Sequence, residues 1–444
     1  MTAREAVFKA LGAFRREGAL PDNGFGLPVD GTGADARETA LAMRIFNGVL
    51  QNMAYCDFVI SFYSSIELKK LHPSILDILR LSVYQIIFLD RVPNNAAVNE
   101  GVLMAKKHSN GRAAGFVNAV LRKVADEASL DNLPEVIRGD KCIYLAIKYS
   151  HPEWLVREFC ARLGFDGAEK LLLVNNSQNT PITAQVNTLR AETGLVLSSL
   201  AADGVDVSEH RWLSDCILMR RFGAVERLES FISGHIYIQD AASRLAVIAA
   251  DPKPGDNVID GCAAPGGKSI AAAIMMKDLG SILACDISIP RLERIKESVS
   301  RLKINSISAS ARDALDLDPS LIDTADVLFA DVPCSGFGII RRKPDVRYKE
   351  QKSIASLPDT QRKILFNLSA YVKPGGTLLY STCTLSECEN EEVVDVFLNE
   401  NRSFSLARFD LPGIGEVPSG KITLWPHIHE TDGFFICKMI RKSI

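Results

Sequence analysis

In the final third of the chain, short apolar segments alternate with segments of helical pattern. The apolar segments read NVIDGC, SILACDI, DVLFADV and GTLLYST. This alternation is typical of βαβ units, in which parallel strands form a sheet that helices cover. Open sheets of this kind bind ligands at the carboxyl ends of their strands. The alternation therefore predicts a doubly wound α/β domain with a site at that edge.

The rest of the chain predicts two further parts. Up to about residue 140 the pattern is helical without strands, with apolar residues at helical spacing from Ser74 to Leu89 and from Arg112 to Val124. A loop rich in Gly, Pro and Asp runs from Gly24 to Gly33. Beyond Tyr149 the pattern is mixed. We predict an all-α bundle over residues 1–140, a small linking α+β domain over 141–238 and the α/β domain over 239–444.

Composition excludes several classes of protein. The net charge of −3 gives no global sign of a polyanionic partner, although basic residues can still cluster locally. The ten cysteines contain no CxxC pair, which favours reduced thiols over a disulfide framework or a zinc site. No secretory signal and no membrane-length apolar run is present. We expect a cytoplasmic monomer with no metal and no membrane attachment.

A glycine-containing turn follows the first predicted strand of the α/β domain. It runs from Ala263 to Gly267, and a helix is expected to open at Lys268. Glycines let the backbone approach a ligand closely, and a helix N-terminus favours negative charge. Pro265 breaks the G-x-G-x-x-G spacing, so NAD is disfavoured. Taken alone, the turn is equally compatible with a plain βα connection.

Aspartates stand at the ends of successive predicted strands. They are Asp260, Asp286 in ACDIS and Asp313 in ARDA. One such aspartate is most often a helix cap. Three at the ligand-binding edge favour a nucleoside-containing cofactor, because a carboxylate at the second strand can accept hydrogen bonds from a ribose diol.

Two cysteines follow the fourth and fifth strands of the same predicted sheet. Cys334 lies in ADVPCSGFG and Cys383 in YSTCTL. A lone cysteine is usually a small buried hydrophobic residue. Two at neighbouring strand ends can converge on one crevice, where a thiolate would be a nucleophile.

The motifs VIDGCAAPGGKS, ACDIS, ARDA, DVPCSG and STCTLSECENEE resemble, in order and spacing, those of the RNA cytosine-5 methyltransferases of the Sun family. This likeness covers about Gln239 to Ile444. The upstream segments HPEWLV and IQDAAS also resemble the family. The helical part resembles the domain of the transcription antitermination factor NusB, through LDILRLSVYQIIFLDRVPNNAAVNEGVLMAKK and GRAAGFVNAVLRK.

The resemblance implies a Rossmann-like domain that binds S-adenosylmethionine and methylates carbon-5 of a cytosine. The implied nucleophile is Cys383, which adds to C6 so that C5 becomes an enamine carbon. Cys334 is implied in product release, and Asp331 in hydrogen bonding to the polar edge of the cytosine. The implied cofactor-binding residues are Cys262, Ala263, Ala264, Pro265, Gly266, Gly267, Lys268, Asp286, Asp313 and Asp331. Gly261 stands where the family has a larger residue.

The implied substrate is small-subunit (16S) ribosomal RNA or its precursor particle, in a single-stranded region from which the base can leave its stack. A basic run directly after DVPCSG predicts phosphate contacts. Its residues are Arg341, Arg342, Lys343 and Arg347. A weaker candidate is the basic cluster between Lys106 and Lys123 in the helical part.

Other functions remain open from the sequence. The chain could act on tRNA or large-subunit ribosomal RNA, or be a non-catalytic NusB-like RNA-binding factor. Intact Cys334, Cys383 and acidic strand ends disfavour the latter. In a DNA cytosine methyltransferase, Cys334 would be the nucleophile; the STC cysteine and the segment from Glu389 to Glu391 favour RNA. No NPPY-like segment of an N-methyltransferase is present.

Overall fold

The computed structural model describes residues 1–17, 36–127, 139–177 and 180–443. The loop predicted from Gly24 to Gly33 lies outside these ranges. The chain divides into two compact units. One comprises Met1–Asn176 and Lys343–Lys349, and the other Ser177–Arg342 and Glu350–Ile444.

The first unit is helical throughout its described residues. Its helices are α1 (Ala3–Glu17), α2 (Ala36–Tyr63), α3 (Pro73–Phe88), α4 (Asn94–His108), α5 (Gly111–Glu127), α6 (Lys141–Lys148) and α7 (Glu153–Asn175). Helices α3 and α5 coincide with the helical patterns that run from Ser74 to Leu89 and from Arg112 to Val124. Pro73 starts α3 at a position where its missing N–H costs nothing. Phe46, Ile60, Tyr84 and Leu121 are fully buried in the core of this bundle.

This helical unit does not end at residue 140. Helices α6 and α7 belong to it, and α6 packs on α2. A short 3-10 helix, Pro344–Tyr348, belongs to it as well, although the sequence places that segment in the middle of the α/β part. The compact helical unit is therefore larger than the 1–140 domain that the sequence predicts, and it is built from two separate stretches of chain.

The second unit begins with a four-stranded antiparallel sheet. Its elements are β1 (Ile182–Val186), α8 (Thr193–Ala202), β2 (Asp206–Glu209), β3 (Cys216–Arg220), α9 (Glu229–Ile232) and β4 (Ile236–Ile238). The strand order is β2-β3-β1-β4, and α8 packs its apolar residues against the sheet. This is the small α+β part that the sequence predicts.

The remainder of the second unit contains an eight-stranded mixed sheet, a separate two-stranded antiparallel sheet and the helices around them. Its elements are α10 (Ala241–Ala250), β5 (Asn257–Asp260), α11 (Gly267–Met275), β6 (Ser281–Asp286), α12 (Ile289–Leu302), β7 (Ile307–Ala311), β8 (Ala325–Asp331), α13 (Gln351–Ile354), α14 (Leu357–Ser369), β9 (Val372–Thr382), α15 (Glu391–Glu400), β10 (Phe404–Leu406), β11 (Phe409–Leu411), β12 (Gly415–Val417), β13 (Lys421–Leu424), α16 (Pro426–His429) and β14 (Phe434–Arg441).

The strand order of the large sheet is β10-β14-β9-β8-β5-β6-β7, and this order determines where a ligand can bind. Strands β5 to β9 are mutually parallel, as predicted. The sheet also contains antiparallel strands that the sequence did not indicate, because β14 pairs antiparallel with β9, and β10 and β13 pair antiparallel with β14. The chain order reverses between β5 and β8, and ligands bind at such switch points in open α/β sheets. The loops after β5 and β8 therefore flank the crevice.

Candidate active site

A cleft of about 380 Å³ opens at the carboxyl edge of the parallel strands. It brings together side chains that the sequence spreads over more than a hundred positions. Of the predicted site residues, those lining it are Cys262, Ala264, Asp286, Asp313, Asp331, Cys334 and Cys383. Ala263, Pro265, Gly266, Gly267 and Lys268 belong to the adjoining turn and helix start. Five strand ends thus converge on one cavity.

The cofactor half of the cleft is built around Asp286 at the end of β6. Its carboxylate accepts hydrogen bonds from the backbone N–H of Ala264 at 3.2 Å and of Ser288 at 2.9 Å. One aspartate therefore fixes both the turn after β5 and the entry to α12. The side chain is 8% exposed and lines the cleft, so its remaining lone pairs can accept from a diol.

The turn itself has little room for side chains. Gly266 has φ of 101°, which L-residues rarely adopt, and a Cβ there would lie 3.1 Å from Cγ1 of Ile295. At Gly261 a Cβ would lie 2.4 Å from Leu368 Cδ1. Leu368 therefore occupies the space that a larger residue at position 261 would need.

Several cleft residues were not predicted from the sequence, and Ile287, Arg291 and Arg312 are among them. Ile287, 70% exposed, follows Asp286 directly and offers an apolar wall, and Arg291 and Arg312 line the same cavity. An apolar residue beside an acidic strand end gives no periodic signal, so its exposure emerges only in the fold. Asp313 lines the cleft and accepts from the backbone N–H of Leu315 at 2.9 Å.

Asp331 and Lys268 form a partly buried ion pair between the two halves of the cleft. Lys268 Nζ lies 2.7 Å from Asp331 Oδ2 and donates to Ser243 Oγ at 3.1 Å. Ser381 Oγ donates to the other carboxylate oxygen of Asp331 at 2.7 Å. The lysine is 6% exposed and, unlike Asp331, is not among the cleft-lining residues. Lys268 therefore contacts Asp331 from the side away from the cavity and orients the carboxylate toward it.

The two thiols meet at the far side of the cleft, with Sγ of Cys334 3.3 Å from Sγ of Cys383. The hydrogen bond from Cys334 lowers the pKa of Cys383. Burial and the charge of Asp331 oppose this shift, and the charge of Lys268 supports it. The same hydrogen bond, together with burial, raises the pKa of Cys334 well above its usual range. The pair therefore favours a thiolate on Cys383 and a thiol on Cys334.

A buried network joins the loops that carry the thiols. Ser335 Oγ and Thr384 Oγ1 lie 2.6 Å apart. Glu389, 1% exposed, accepts from the backbone N–H of Ser335 at 2.8 Å and from Gln361 Nε2 at 2.9 Å. The sequence singles out Glu389 as part of a motif, and the structure gives it a place beneath the Cys334 loop.

A second connection reaches the Cys383 backbone. Gly338 donates its N–H to the carbonyl oxygen of Cys383 at 2.9 Å, and Gly433 donates to that of Gly338 at 2.8 Å. A Cβ at Gly338 would lie 1.9 Å from the carbonyl oxygen of Gly433. The position therefore requires glycine, because the three backbones pass too close for a side chain.

The predicted phosphate-binding run requires correction. Arg341 is ion-paired with Asp432 at 2.6 Å, with 7% of its side chain exposed. Arg342 lies 3.0 Å from Asp240 and 3.2 Å from Asp432. Their guanidinium groups are occupied by two carboxylates, which a charge run read from sequence does not reveal. Lys343 remains exposed.

Arg347 was also wrongly expected to reach RNA. It is fully buried in the helical unit and donates to the carbonyl oxygens of Gln51 at 2.9 Å and Ser150 at 3.1 Å, and to Asn176 Oδ1 at 2.9 Å. Burial lowers the pKa of Arg347 to about 10. A side chain enclosed in this way cannot contact a phosphate.

The mixed sheet, glycine turn and acidic strand ends around one cleft define a Rossmann-like S-adenosylmethionine-dependent methyltransferase fold. Family models agree along the chain. Residues 247–440 match the 16S rRNA methyltransferase RsmB/F, residues 1–126 the NusB family, and residues 151–226 the ferredoxin-like domain of RsmF/B-like methyltransferases.

Individual proteins match over nearly the full length. The "Probable ribosomal RNA small subunit methyltransferase B" of Bacillus subtilis is 36% identical, over 91% of this chain and 90% of its own. The ribosomal RNA small subunit methyltransferase B of Erwinia tasmaniensis is 27% identical, over 94% of both. The crystal structure of PH0851 superposes with a TM-score of 0.78 at 26% identity, covering 98% of each chain. The chain belongs to the RsmB/F family of 16S rRNA methyltransferases, whose methyl donor is S-adenosylmethionine.

Three absences concern the described ranges alone. No helix there is both long and apolar enough to cross a membrane. No three His, Cys, Asp or Glu side chains there are grouped to hold a metal ion. All ten cysteines fall within these ranges, and each is a free thiol.

Proposed function

We propose that the protein methylates carbon-5 of a cytosine in small-subunit ribosomal RNA through a covalent bond between Cys383 and C6 of the base. The observation that carries the proposal is the 3.3 Å thiol pair, which faces the cofactor half of the same cleft. A methyltransferase acting on an electron-rich nitrogen needs no thiolate. Carbon-5 of cytosine becomes a nucleophile only after addition at C6, so a thiolate at the cleft supports this chemistry.

The cleft fits the methyl donor. Asp286 presents carboxylate lone pairs for a ribose diol, the turn at Gly266 keeps side chains out of the approach, and Ile287 offers an apolar face. S-adenosylmethionine supplies an electrophilic methyl group when bound. Asp286 and Asp313 would hold and orient it.

The residues around the thiols have separate roles in the reaction with the base. Cys383 forms the C6–S bond, for which it must be ionised. Asp331, held by Lys268 and Ser381, accepts a hydrogen bond from the amino edge of the cytosine and fixes the ring against the thiolate. After methyl transfer a solvent base removes the C5 proton, the C5–H electron pair forms the C5–C6 double bond, and the C6–S bond breaks with its electrons returning to Cys383 as a thiolate. Cys334, whose sulfur contacts that of Cys383, assists this elimination.

The substrate is proposed from the relatives. Two proteins that match almost the whole chain are named for small-subunit ribosomal RNA. Cytosines of tRNA or large-subunit RNA are the alternative substrates. A purely RNA-binding role is less well supported, because an inactive fold would not require the paired thiols to be retained beside Asp331. The cytoplasm, where ribosomal RNA is processed, is the proposed compartment.

The test is to map 5-methylcytosine in ribosomal RNA from cells with and without this protein. We expect one small-subunit site to lose the modification and to regain it when purified protein and S-adenosylmethionine are added to RNA from the deletion strain. An unchanged map in all ribosomal RNA, with no methyl transfer in vitro, would overturn the proposal. Loss of modification in tRNA alone would reassign the substrate.

A further inference from the structure

Of the cations expected to bind RNA, Arg341 and Arg342 are occupied in ion pairs and Arg347 is buried, but the second unit has other cations at its surface. A groove of about 480 Å³ lies at one end of the small antiparallel sheet. Ile182 begins β1, Asp206 begins β2 and Arg220 ends β3, and all three line it. Arg221 and Phe222 continue the wall. This set, which we call the RRF groove, lies outside the methyl-donor cleft.

The RRF groove has an apolar floor and a cationic rim. Ile182 is 40% exposed although it belongs to the sheet, and Phe222 is half-buried, with its ring anchored against the sheet core. Arg221 is exposed and Arg220 partly exposed. Rings that accept stacked bases beside cations that accept phosphates are the features of a single-stranded nucleic-acid site.

The two arginines differ from Arg341 and Arg342 in their surroundings. Within the described part of the chain, neither Arg220 nor Arg221 is ion-paired, and Asp206 is the one carboxylate among the residues that line the groove. The groove therefore carries a net positive charge that its own lining leaves unneutralised. An anionic ligand complements it.

Packed contacts connect the RRF groove with the nucleophile. Arg342 donates to the carbonyl oxygen of Pro181, which lies between the groove residues Thr180 and Ile182, and also pairs with Asp432. Gly433, next in the chain, donates to Gly338, which in turn donates to Cys383. Arg342 and Asp432 thus link the groove to the backbone that carries Cys383, and these contacts can fix the position of one relative to the other.

We propose that the RRF groove binds a single-stranded stretch of the substrate RNA next to the target cytosine, with phosphates on Arg220 and Arg221 and a base on Phe222. The inference rests on the proposed function for the identity of the RNA. It assigns the substrate contact to the small sheet, and to the sequence Arg220-Arg221-Phe222-Gly223, in which basic and aromatic residues are adjacent.

The test compares full-length variants by fluorescence anisotropy with a labelled single-stranded RNA of roughly 12 nucleotides. For Arg220→Ala/Arg221→Ala we expect at least a tenfold loss of affinity. The slope of log affinity against log salt should fall by about 1.4, as expected for two lost phosphate contacts. The matched control is Arg402→Ala/Arg408→Ala, which removes two exposed arginines elsewhere in the same unit and should leave both quantities unchanged.

A third variant separates stacking from charge. Phe222→Leu keeps apolar volume on the sheet core but removes the ring, so affinity should fall several-fold with an unchanged salt slope. Affinity for S-adenosylmethionine and the melting temperature report whether each variant is folded. If the double-arginine variant binds RNA as the control does, the proposal is wrong.

The binding assay requires no turnover, so its outcome is independent of the proposed reaction. If the wild-type protein makes no 5-methylcytosine, the proposed function is wrong, but the effect of the groove variants on RNA affinity can still be measured. Normal methylation together with unaltered RNA binding in the double variant would overturn the groove alone.

Discussion

The sulfur atoms of Cys334 and Cys383 lie 3.3 Å apart, although 49 positions of sequence separate the two residues. Each follows a parallel strand, β8 or β9, and these strands are neighbours in the sheet. The hydrogen bond between the sulfurs gives them unequal acidity, with the pKa of Cys383 lowered and that of Cys334 raised. Two chemically identical side chains thereby differ in their acidity.

Substitution of each cysteine should stop the reaction at a different point. In Cys383→Ala the nucleophile is missing, so neither methyl transfer nor a covalent complex should form. In Cys334→Ala addition and methyl transfer remain possible but elimination slows, so a protein–RNA adduct should accumulate. Denaturing gels with RNA and S-adenosylmethionine distinguish these outcomes. An adduct in Cys383→Ala but not in Cys334→Ala would reverse the two roles.

The carboxylate of Asp286 should determine affinity for the methyl donor. Asp286→Ala loses the acceptor for a ribose diol and also the bonds from Ala264 and Ser288. Calorimetric titration should show binding weakened by about 2–4 kcal/mol. Asp286→Asn is the control that preserves side-chain shape. Since its carbonyl oxygen can still accept a hydrogen bond, this variant should lose less affinity for the methyl donor than Asp286→Ala. Full affinity in folded Asp286→Ala would contradict this assignment.

Arg347 should contribute to stability and not to RNA affinity. Arg347→Ala removes the donor for the Gln51 and Ser150 carbonyl oxygens and leaves a cavity in the helical unit. We expect the free energy of unfolding to fall by about 3–5 kcal/mol in denaturant titrations. At a temperature where the variant is folded, its RNA affinity should equal that of wild type. A selective loss of RNA binding with normal stability would return Arg347 to the substrate interface.

The buried carboxyl of Asp260 predicts a specific pH dependence of stability. Burial raises the pKa of Asp260 to about 7, above the value of about 3.9 expected in an unfolded chain. The folded state therefore holds the proton more tightly, and this group's contribution to stability falls as pH rises from about 4 to 7. Above pH 7 the loss is complete, on the order of 4 kcal/mol.

Asp260→Asn tests this dependence, because the amide does not ionise and its carbonyl oxygen can still accept from Ser269, as Asp260 Oδ2 does at 2.7 Å. Relative to the variant, wild type should lose stability progressively between pH 4 and pH 7 in chemical denaturation. Parallel stability curves for the two proteins would show that Asp260 does not titrate in this range.

The sequence predicted features that depend on local pattern or on strand order. The glycine turn at Gly266, the acidic end of β6 and the convergence of Cys334 with Cys383 all follow from parallel strands whose carboxyl ends meet at one edge. Strand β14 was not predicted, because its apolar sequence FFICKMIR is not followed by a helix and so does not belong to the alternation of strands and helices. Its antiparallel pairing with β9 is a property of the tertiary fold.

The errors over Arg341, Arg342 and Arg347 have one physical origin. A run of basic residues looks solvated when no partner lies nearby in sequence. The partners of the first two, Asp240 and Asp432, are about 90 or more positions away, and those of Arg347 are mostly backbone carbonyls. Long-range neutralisation of this kind leaves no local signal.

The assignment of Lys343–Lys349 to the helical unit has a consequence for how the protein is made. Arg347 completes the bonding of the Gln51 and Ser150 carbonyl groups, so the packing around those groups stays unfinished until that segment arrives. During translation the N-terminal helices emerge first, but the ribosome must add well over a hundred further residues before Arg347 is available. The bundle can begin to form early on the ribosome. Its core packing is completed only after β8, which precedes Arg347 in the chain, has been synthesised.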